Sequence, residues 1–200
     1  MLSESPEQPA IPPSWFAPAA LPLEVDFGCH RGAFLLAMAA TDGTRNFLGI
    51  ERQSARVDTC NKRIRRRELP NAFAVRGEGA QALRELLPDA SVHILHVSFP
   101  DPWPKRRHEG RRLVKEDFLL EAARVLRPDG ILRLMTDDAA YFAEMVALTK
   151  SGWSEVAWDD GIARPMTTFE MTFRKLGKVP FQRALSFPES NPAIARHQSV

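Results

Sequence analysis

Asp101 sits in the run Pro100-Asp101-Pro102-Trp103-Pro104, where this 200-residue sequence concentrates the most chemistry. Three prolines fix φ around one carboxylate and one indole, which lowers the entropy of holding that carboxylate in place. Lys105, Arg106, Arg107, His108, Arg111 and Arg112 follow within eight residues. Cations at this density suit phosphate groups, whose contacts position a nucleic acid without reading its sequence. The bland alternatives are a proline turn with a core tryptophan and a solvated charge run. The first leaves the five Lys and Arg residues unexplained.

A second set of acidic residues has a different spacing. Asp26 precedes the turn Gly28-Cys29-His30-Arg31-Gly32, which enters the apolar run Ala33-Phe34-Leu35-Leu36-Ala37. Such a turn lets backbone approach a ligand closely, although it also occurs as a plain tight turn. Glu51 follows roughly 20 residues past the turn, where a carboxylate can accept both hydroxyls of a ribose. Glu78 ends the run Val75-Arg76-Gly77-Glu78 and could accept from an adenine amino group. Acidic groups would repel the phosphates of a dinucleotide, and the stretch from Gly28 to Gly32 lacks the GxGxxG pattern. S-adenosylmethionine fits better: it offers an ammonium, a ribose diol, an adenine amine and a sulfonium, and no phosphate.

These residues need elements to hold them. Short apolar runs predict strands over 23–27, 46–50, 72–75, 92–98 and 131–136, alternating with helical patterns over 32–40, 54–68, 80–87, 115–126 and 139–150. Alternation of this kind predicts a parallel sheet covered on both faces, with ligands beyond the C-terminal strand ends. Residues 153–158 and 171–176 look like a closing hairpin pair. Residues 1–22, with six prolines and no Lys or Arg, are expected to form an extended arm outside the core. The domain is then expected over 23–179, with a tail over 180–200. His93 and His96 alternate along a strand and are expected to be satisfied by the sheet. The basic stretch 62–67 could extend a phosphate track, but a solvated helix end explains it as well.

Composition narrows the class. The chain is 44% hydrophobic and 26% charged, enough for one cored domain, and its net charge of +2 makes charge placement matter more than total charge. Cys29 and Cys60 make no disulfide framework and no metal-ligand cluster, so no metal is expected and a reducing cytoplasm is the natural setting. No apolar run has the length of a membrane span, and the N-terminus lacks signal-peptide order.

The run Pro100-Asp101-Pro102-Trp103-Pro104-Lys105-Arg106-Arg107-His108, continued by Arg111-Arg112-Leu113-Val114, is similar to the signature of the bacterial tRNA (guanine-N7)-methyltransferases. So are the glycine turn, Gly49-Ile50-Glu51, Leu134-Met135-Thr136-Asp137 and Arg164-Pro165-Met166-Thr167-Thr168-Phe169-Glu170, in order over about residues 23–177. The resemblance implies an α/β, Rossmann-like class I methyltransferase with a seven-stranded, mostly parallel sheet and helices on both faces. It implies methyl transfer from S-adenosylmethionine to N7 of a guanosine in the tRNA variable loop. By position, Asp26, Gly28, Gly32, Glu51, Glu78 and Asp101 fall where the family holds its cofactor. Lys105, Asp137, Thr167, Phe169 and Glu170 fall where it meets RNA. Lys105, Arg106, Arg107, Arg111 and Arg112 would hold phosphates. The chain differs from the family at His30, where glycine is usual, at Glu78, where Asp or Asn is commoner, and in having no basic arm.

Guanine N7 has a free lone pair at neutral pH, so its methylation requires no general base. Asp101 is the candidate catalytic group, either against charge developing on the ring or as acceptor of the guanine N1–H and amino group. A non-catalytic RNA-binding protein on the same fold and a methyltransferase for another RNA base remain the alternatives. The chain is expected to act as a monomer or homodimer.

Overall fold

The computed structural model describes residues 11–16, 18 and 20–187, with Pro13 and Arg106 described in the backbone alone. β1 (Leu23–Phe27), β2 (Asn46–Glu51), β3 (Ala72–Arg76), β4 (Val92–Ser98) and β5 (Leu126–Thr136) run parallel. Between them lie α1 (Ala33–Thr41), α2 (Ser54–Arg66), α3 (Gly79–Leu86) and α4 (Glu116–Val125), and α5 (Ala139–Leu148) follows β5. β6 (Ser154–Val156), α6 (Thr168–Lys175) and β7 (Phe181–Ser186) close the fold, with β7 antiparallel to β5 and β6. The sheet order is β3-β2-β1-β4-β5-β7-β6, the seven-stranded, mostly parallel arrangement expected from the sequence. Strand order reverses between β1 and β4, and open sheets of this type bind ligands at such a switch, beyond the carboxyl ends of the strands.

Each face is covered as the period of its side chains requires. Phe47, Ala72 and Ala74 meet Leu35, Leu36 and Met38 of α1 and Val57, Cys60 and Ile64 of α2. On the other face, Val25, Phe27, Leu48 and Ile50 meet Leu83 of α3, Phe118 of α4 and Tyr141 of α5. Phe27 and Phe118 cross edge to face at 5.2 Å. Burying one such side chain contributes about 1.5–3 kcal/mol, so this double layer makes the sheet edge a rigid mount. His93 accepts from the Leu23 amide at 3.3 Å, and His96 Nε2 lies 2.9 Å from Glu24, so both histidines are satisfied within the sheet. Among the described residues no helix is long and apolar enough to cross a membrane.

Three expectations are corrected. Residues 171–175 lie in α6 and Leu176 caps its C-terminus, so the segment is not a strand. Thr167 caps that helix by accepting from the Glu170 amide at 3.0 Å, and Gly177 ends it at φ 72°. Its amide returns to the Arg174 carbonyl, and that of Lys178 returns to Phe173. The partner of β6 is β7, so the sheet runs to Ser186, past the expected domain end at 179. Residues 188–200 of the expected tail lie outside the described residues. In the expected arm, Phe16 is buried with the core and Trp15 stacks on Phe73 at 4.9 Å, because an extended proline segment can still lay aromatic rings into a gap. Residues 1–10 of that arm lie outside the described residues.

Candidate active site

β1 and β2 end side by side, with Phe27 level with Ile50, which brings Asp26 and Glu51 together at the C-terminal edge. Each is only 4% exposed. Burial raises the Asp26 carboxyl to about 7, and the Glu51 charge adds to the rise. Among the described residues nothing donates a hydrogen bond to Asp26. A buried carboxylate without a partner is costly, so this one suits a cation or donor from outside the chain. Glu51 accepts from the His30 amide at 3.1 Å and the Gln53 amide at 3.0 Å, with Arg56 3.5 Å away. Its two oxygens retain further lone pairs for hydroxyl donors. Glu78, after β3, is largely exposed and lies 3.9 Å from Arg52.

The glycine turn is held by backbone. Gly28 and Cys29 donate to the Ile50 carbonyl at 2.8 and 3.1 Å, and Gly32 donates to Cys29 at 2.8 Å. His30 takes the left-handed backbone itself, at φ 53°, between Gly28 at 85° and Gly32 at 72°. That conformation costs an L-residue about 1–2 kcal/mol, but the His30 side chain stays exposed and the turn keeps its shape. A Cβ on Gly28 would meet nothing within 4 Å, so open space lies above the turn. At Gly32 it would stand 2.2 Å from the Cys60 sulfur, so glycine there is required by the packing of α1 on α2.

Beyond β4 the chain is bent at two positive φ angles, 53° at Phe99 and 43° at Trp103. Strain of this kind costs about 1–3 kcal/mol per residue and collects at functional sites. The two residues bracket Asp101, which is exposed. Arg112 fastens this loop from behind. Its Nε donates to the Pro102 carbonyl at 2.8 Å, its guanidinium pairs with Glu144, and it lies 5.1 Å over the Tyr141 ring. Arg112 is therefore turned inward, away from the phosphate-facing role its neighbours suggested. Lys105, Arg107 and Arg111 are exposed, and Arg111 lies 5.1 Å over the Trp103 ring. The Arg106 side chain lies outside the described residues. The 62–67 cluster ends α2, and Arg63 there donates to the Arg31 carbonyl beside the glycine turn at 2.7 Å.

The third side comes from β5 and α6. Asp137 follows β5 and is exposed, while Asp138 caps α5 by accepting from the Tyr141 amide at 2.8 Å. Thr167 and Glu170 are each 8% exposed, and Glu170 accepts from Arg174 at 3.0 Å. Phe169 is 56% exposed. Its ring lies 5.9 Å from Phe99, which stacks on Phe173 at 5.4 Å, so Phe99 joins the Pro-Asp loop to α6. The adjoining strands β2, β1 and β4 thus carry Glu51, Asp26 and the Asp101 loop to one edge in that order, and the Phe99 ring joins the loop to Phe169. Glu78 lies farther out along the same edge, exposed after the outer strand β3, and Arg112 serves the loop from within.

One group of buried charged side chains escaped the sequence reading. Glu24, one of only two charged residues in the buried strand β1, is 1% exposed and binds Arg164, Arg45 and His96. Its sequence signal was a second carboxylate, two residues before Asp26, in a short strand whose other residues are apolar.

The chain matches the model of a family described as "Putative methyltransferase" over residues 20–182. It is 31% identical over 175 residues to the tRNA (guanine-N(7)-)-methyltransferase of Lactococcus lactis subsp. cremoris, covering 83% of this chain and 80% of that protein. It is 34% identical over 182 residues to the protein of the same name from Levilactobacillus brevis, covering 87% and 84%. Among solved structures, a SAM-dependent methyltransferase from Aquifex aeolicus superposes with a TM-score of 0.58 at 17% identity, over 82% of this chain and 81% of that one, a likeness of fold. With this fold, a strand-edge carboxylate cluster beside a cationic Pro-Asp-Pro-Trp-Pro loop, and relatives matched over most of their length, the chain belongs to the tRNA (guanine-N7)-methyltransferase family.

Proposed function

We propose that this chain transfers a methyl group from S-adenosylmethionine to N7 of a guanosine in the variable loop of tRNA. Beyond family membership, one structural observation carries the reading. Asp26, buried and without a donor, lies at the strand switch, and the loop from the neighbouring strand carries Asp101 amid exposed cations. Asp26 fits the cofactor's ammonium, Glu51 its ribose hydroxyls and Glu78 its adenine amine, around the open space above Gly28. Bound there, S-adenosylmethionine supplies an electrophilic methyl on a sulfonium sulfur.

The chain's own work is positioning and electrostatics. Guanine N7 has no proton to lose, so no general base is required. Lys105, Arg107 and Arg111 face solvent and suit phosphates. Phe169 offers a ring face for a base, flanked by Asp137 and the turn at 167–170. Asp101, clamped through Pro102 by Arg112, holds negative charge where the guanine ring becomes cationic, or accepts from its N1–H and amino group. Alignment of this kind is worth several kcal/mol by itself.

Mass spectrometry of nucleosides, after incubation of protein, cofactor and tRNA, tests the reading. The expected product is 7-methylguanosine, mapped by fragment to the variable loop. Asp101→Asn should slow single-turnover transfer about 10²–10³-fold with little change in tRNA affinity. With cofactor saturating, so that Asp26 is already paired with the ammonium, the wild-type single-turnover rate should be nearly flat from about pH 6 to 8, where a histidine base would titrate. A different methylated nucleoside, no product, or a steep pH limb would each contradict the proposal.

A further inference from the structure

Glu24 and Asp26 share one face of β1, two residues apart, so their Cα atoms are separated by about 7 Å along the strand. Asp26 faces the cofactor end, and Glu24 lies one step deeper. Around Glu24 the fold assembles an ion cluster from distant parts of the chain. Arg164 reaches it with Nη2 at 2.9 Å and Nε at 3.2 Å, Arg45 with Nη1 at 3.1 Å, and His96 Nε2 lies at 2.9 Å. Arg164 also pairs with Asp160 at 2.7 Å, which pairs with Arg133 at 3.1 Å. Arg133 donates to the Trp158 carbonyl at 2.7 Å and lies 5.2 Å over that residue's ring. Burial alone would raise the Glu24 carboxyl, but the bonds from His96 and Arg164 overcome it and hold the group down at about 2. Burial lowers the His96 imidazole despite Glu24, and the carboxylate accepts from its Nε2–H. With Asp42 beside Arg45, three carboxylates and three guanidinium groups balance.

The cluster is not needed as filler. A buried ion pair is weak support for stability, and an apolar residue of like volume often does as well. An apolar side chain lacks direction, whereas the planar fork of an arginine fixes both position and orientation on a carboxylate. What Glu24 grips is the segment 157–167, which runs between β6 and α6 with no regular structure. The segment's ion pairs run through Asp160 and Arg164. Only Pro165 and Met166 separate Arg164 from Thr167, the cap of α6. Pro165 restricts itself and the residue before it, and Thr167 is fixed as the cap. An orientation set at Arg164 is therefore passed to Thr167, Phe169 and Glu170 with little slack.

We propose that Glu24 and Arg164 are positioning residues: a buried latch, seconded by Asp160 and Arg133, that sets the 167–170 turn against the cofactor end of the sheet. The proposal rests on the reading above that this turn meets RNA. Neither residue touches substrate, so the latch acts on tRNA use and leaves the cofactor pocket alone.

Three variants and two controls test it, each assayed for tRNA kcat/KM, S-adenosylmethionine affinity by calorimetry, and amide hydrogen exchange over 157–170. Glu24→Gln keeps the shape and removes the charge. It should speed exchange over 157–170 alone and lower tRNA kcat/KM about 10- to 100-fold, the scale of a misplacement near 1 Å, with cofactor affinity unchanged. Arg164→Lys should fall between Glu24→Gln and wild type, since it keeps the charge and loses the fork. Should Glu24→Gln fail to fold, Asp160→Asn, which leaves the Glu24 contacts intact, should show a smaller change of the same pattern. Unchanged exchange, or faster exchange with wild-type kcat/KM, would overturn the latch. Phe169→Ala and Glu170→Gln are the controls and should lose kcat/KM without faster exchange at 157–165. If both keep wild-type kcat/KM, the turn does not meet RNA and the latch falls with that reading. If they lose activity and Glu24→Gln does not, only the latch falls.

Discussion

Arg112→Ala removes three contacts at once: the Nε bond to the Pro102 carbonyl at 2.8 Å, the pairing with Glu144, and the position 5.1 Å over Tyr141. A hydrogen bond from a charged donor is worth about 1.5–3 kcal/mol. The ring contact adds about 0.5–1 kcal/mol. Glu144 is 35% exposed, so its pairing is screened and adds at most about 1 kcal/mol. These terms are not additive, and a loss of about 2–4 kcal/mol is expected. For a domain of this size that lowers Tm by roughly 5–15 °C. Arg111→Ala is the matched control, because Arg111 is exposed and its principal contact is the Trp103 ring. It should leave Tm nearly unchanged and flatten the log–log salt dependence of tRNA binding by about 0.7–0.9, one phosphate contact. Thermal unfolding and anisotropy titrations between about 50 and 200 mM salt read both quantities. Arg112→Ala should keep the wild-type salt slope and slow methyl transfer, since the Asp101 loop loses its clamp. An Arg112→Ala protein with wild-type Tm and a flattened slope would refute the assignment of Arg112 to the interior.

Two further outcomes follow from the cofactor end. His30→Gly relieves a left-handed φ at the cost of extra backbone freedom, so stability should rise by no more than about 1 kcal/mol, with cofactor affinity equal or tighter; a tenfold weaker affinity in calorimetry would make the imidazole part of the site. The Asp26 carboxyl is raised from its usual 3.8 to about 7, so its contribution to the free protein's stability is complete below pH about 4 and lost as pH rises through 7, up to about 4 kcal/mol. Asp26→Asn should therefore raise the cofactor-free Tm at pH 8 and flatten its pH dependence while weakening cofactor binding, and parallel Tm–pH curves for the two proteins would show that Asp26 is not the group responsible.

Local chemistry made much of this molecule legible from its residues. Apolar runs and helical periods located the parallel strands β1–β5 and the helices between them. Because parallel strands all end at one edge, Asp26, Glu51, Glu78, Asp101 and Asp137 had to gather there. The T-x-x-E cap at 167–170 and the glycine at 177 are also local signals of a helix, whereas the alternation Met171-Thr172-Phe173-Arg174 taken alone suits a strand. Other features were beyond any local reading. Arg111 and Arg112 are neighbours of one residue type, and only the docking of α5 behind the loop turns one inward and leaves the other in solvent. Glu24 and Arg164 stand 140 residues apart, and neither carries a local mark of the other. Backbone propensity and side-chain period act over a few residues, so they reach the sequence directly. The choice of partner for a buried charge is made where distant segments cross, and that crossing exists only once the sheet and its covering layers have formed.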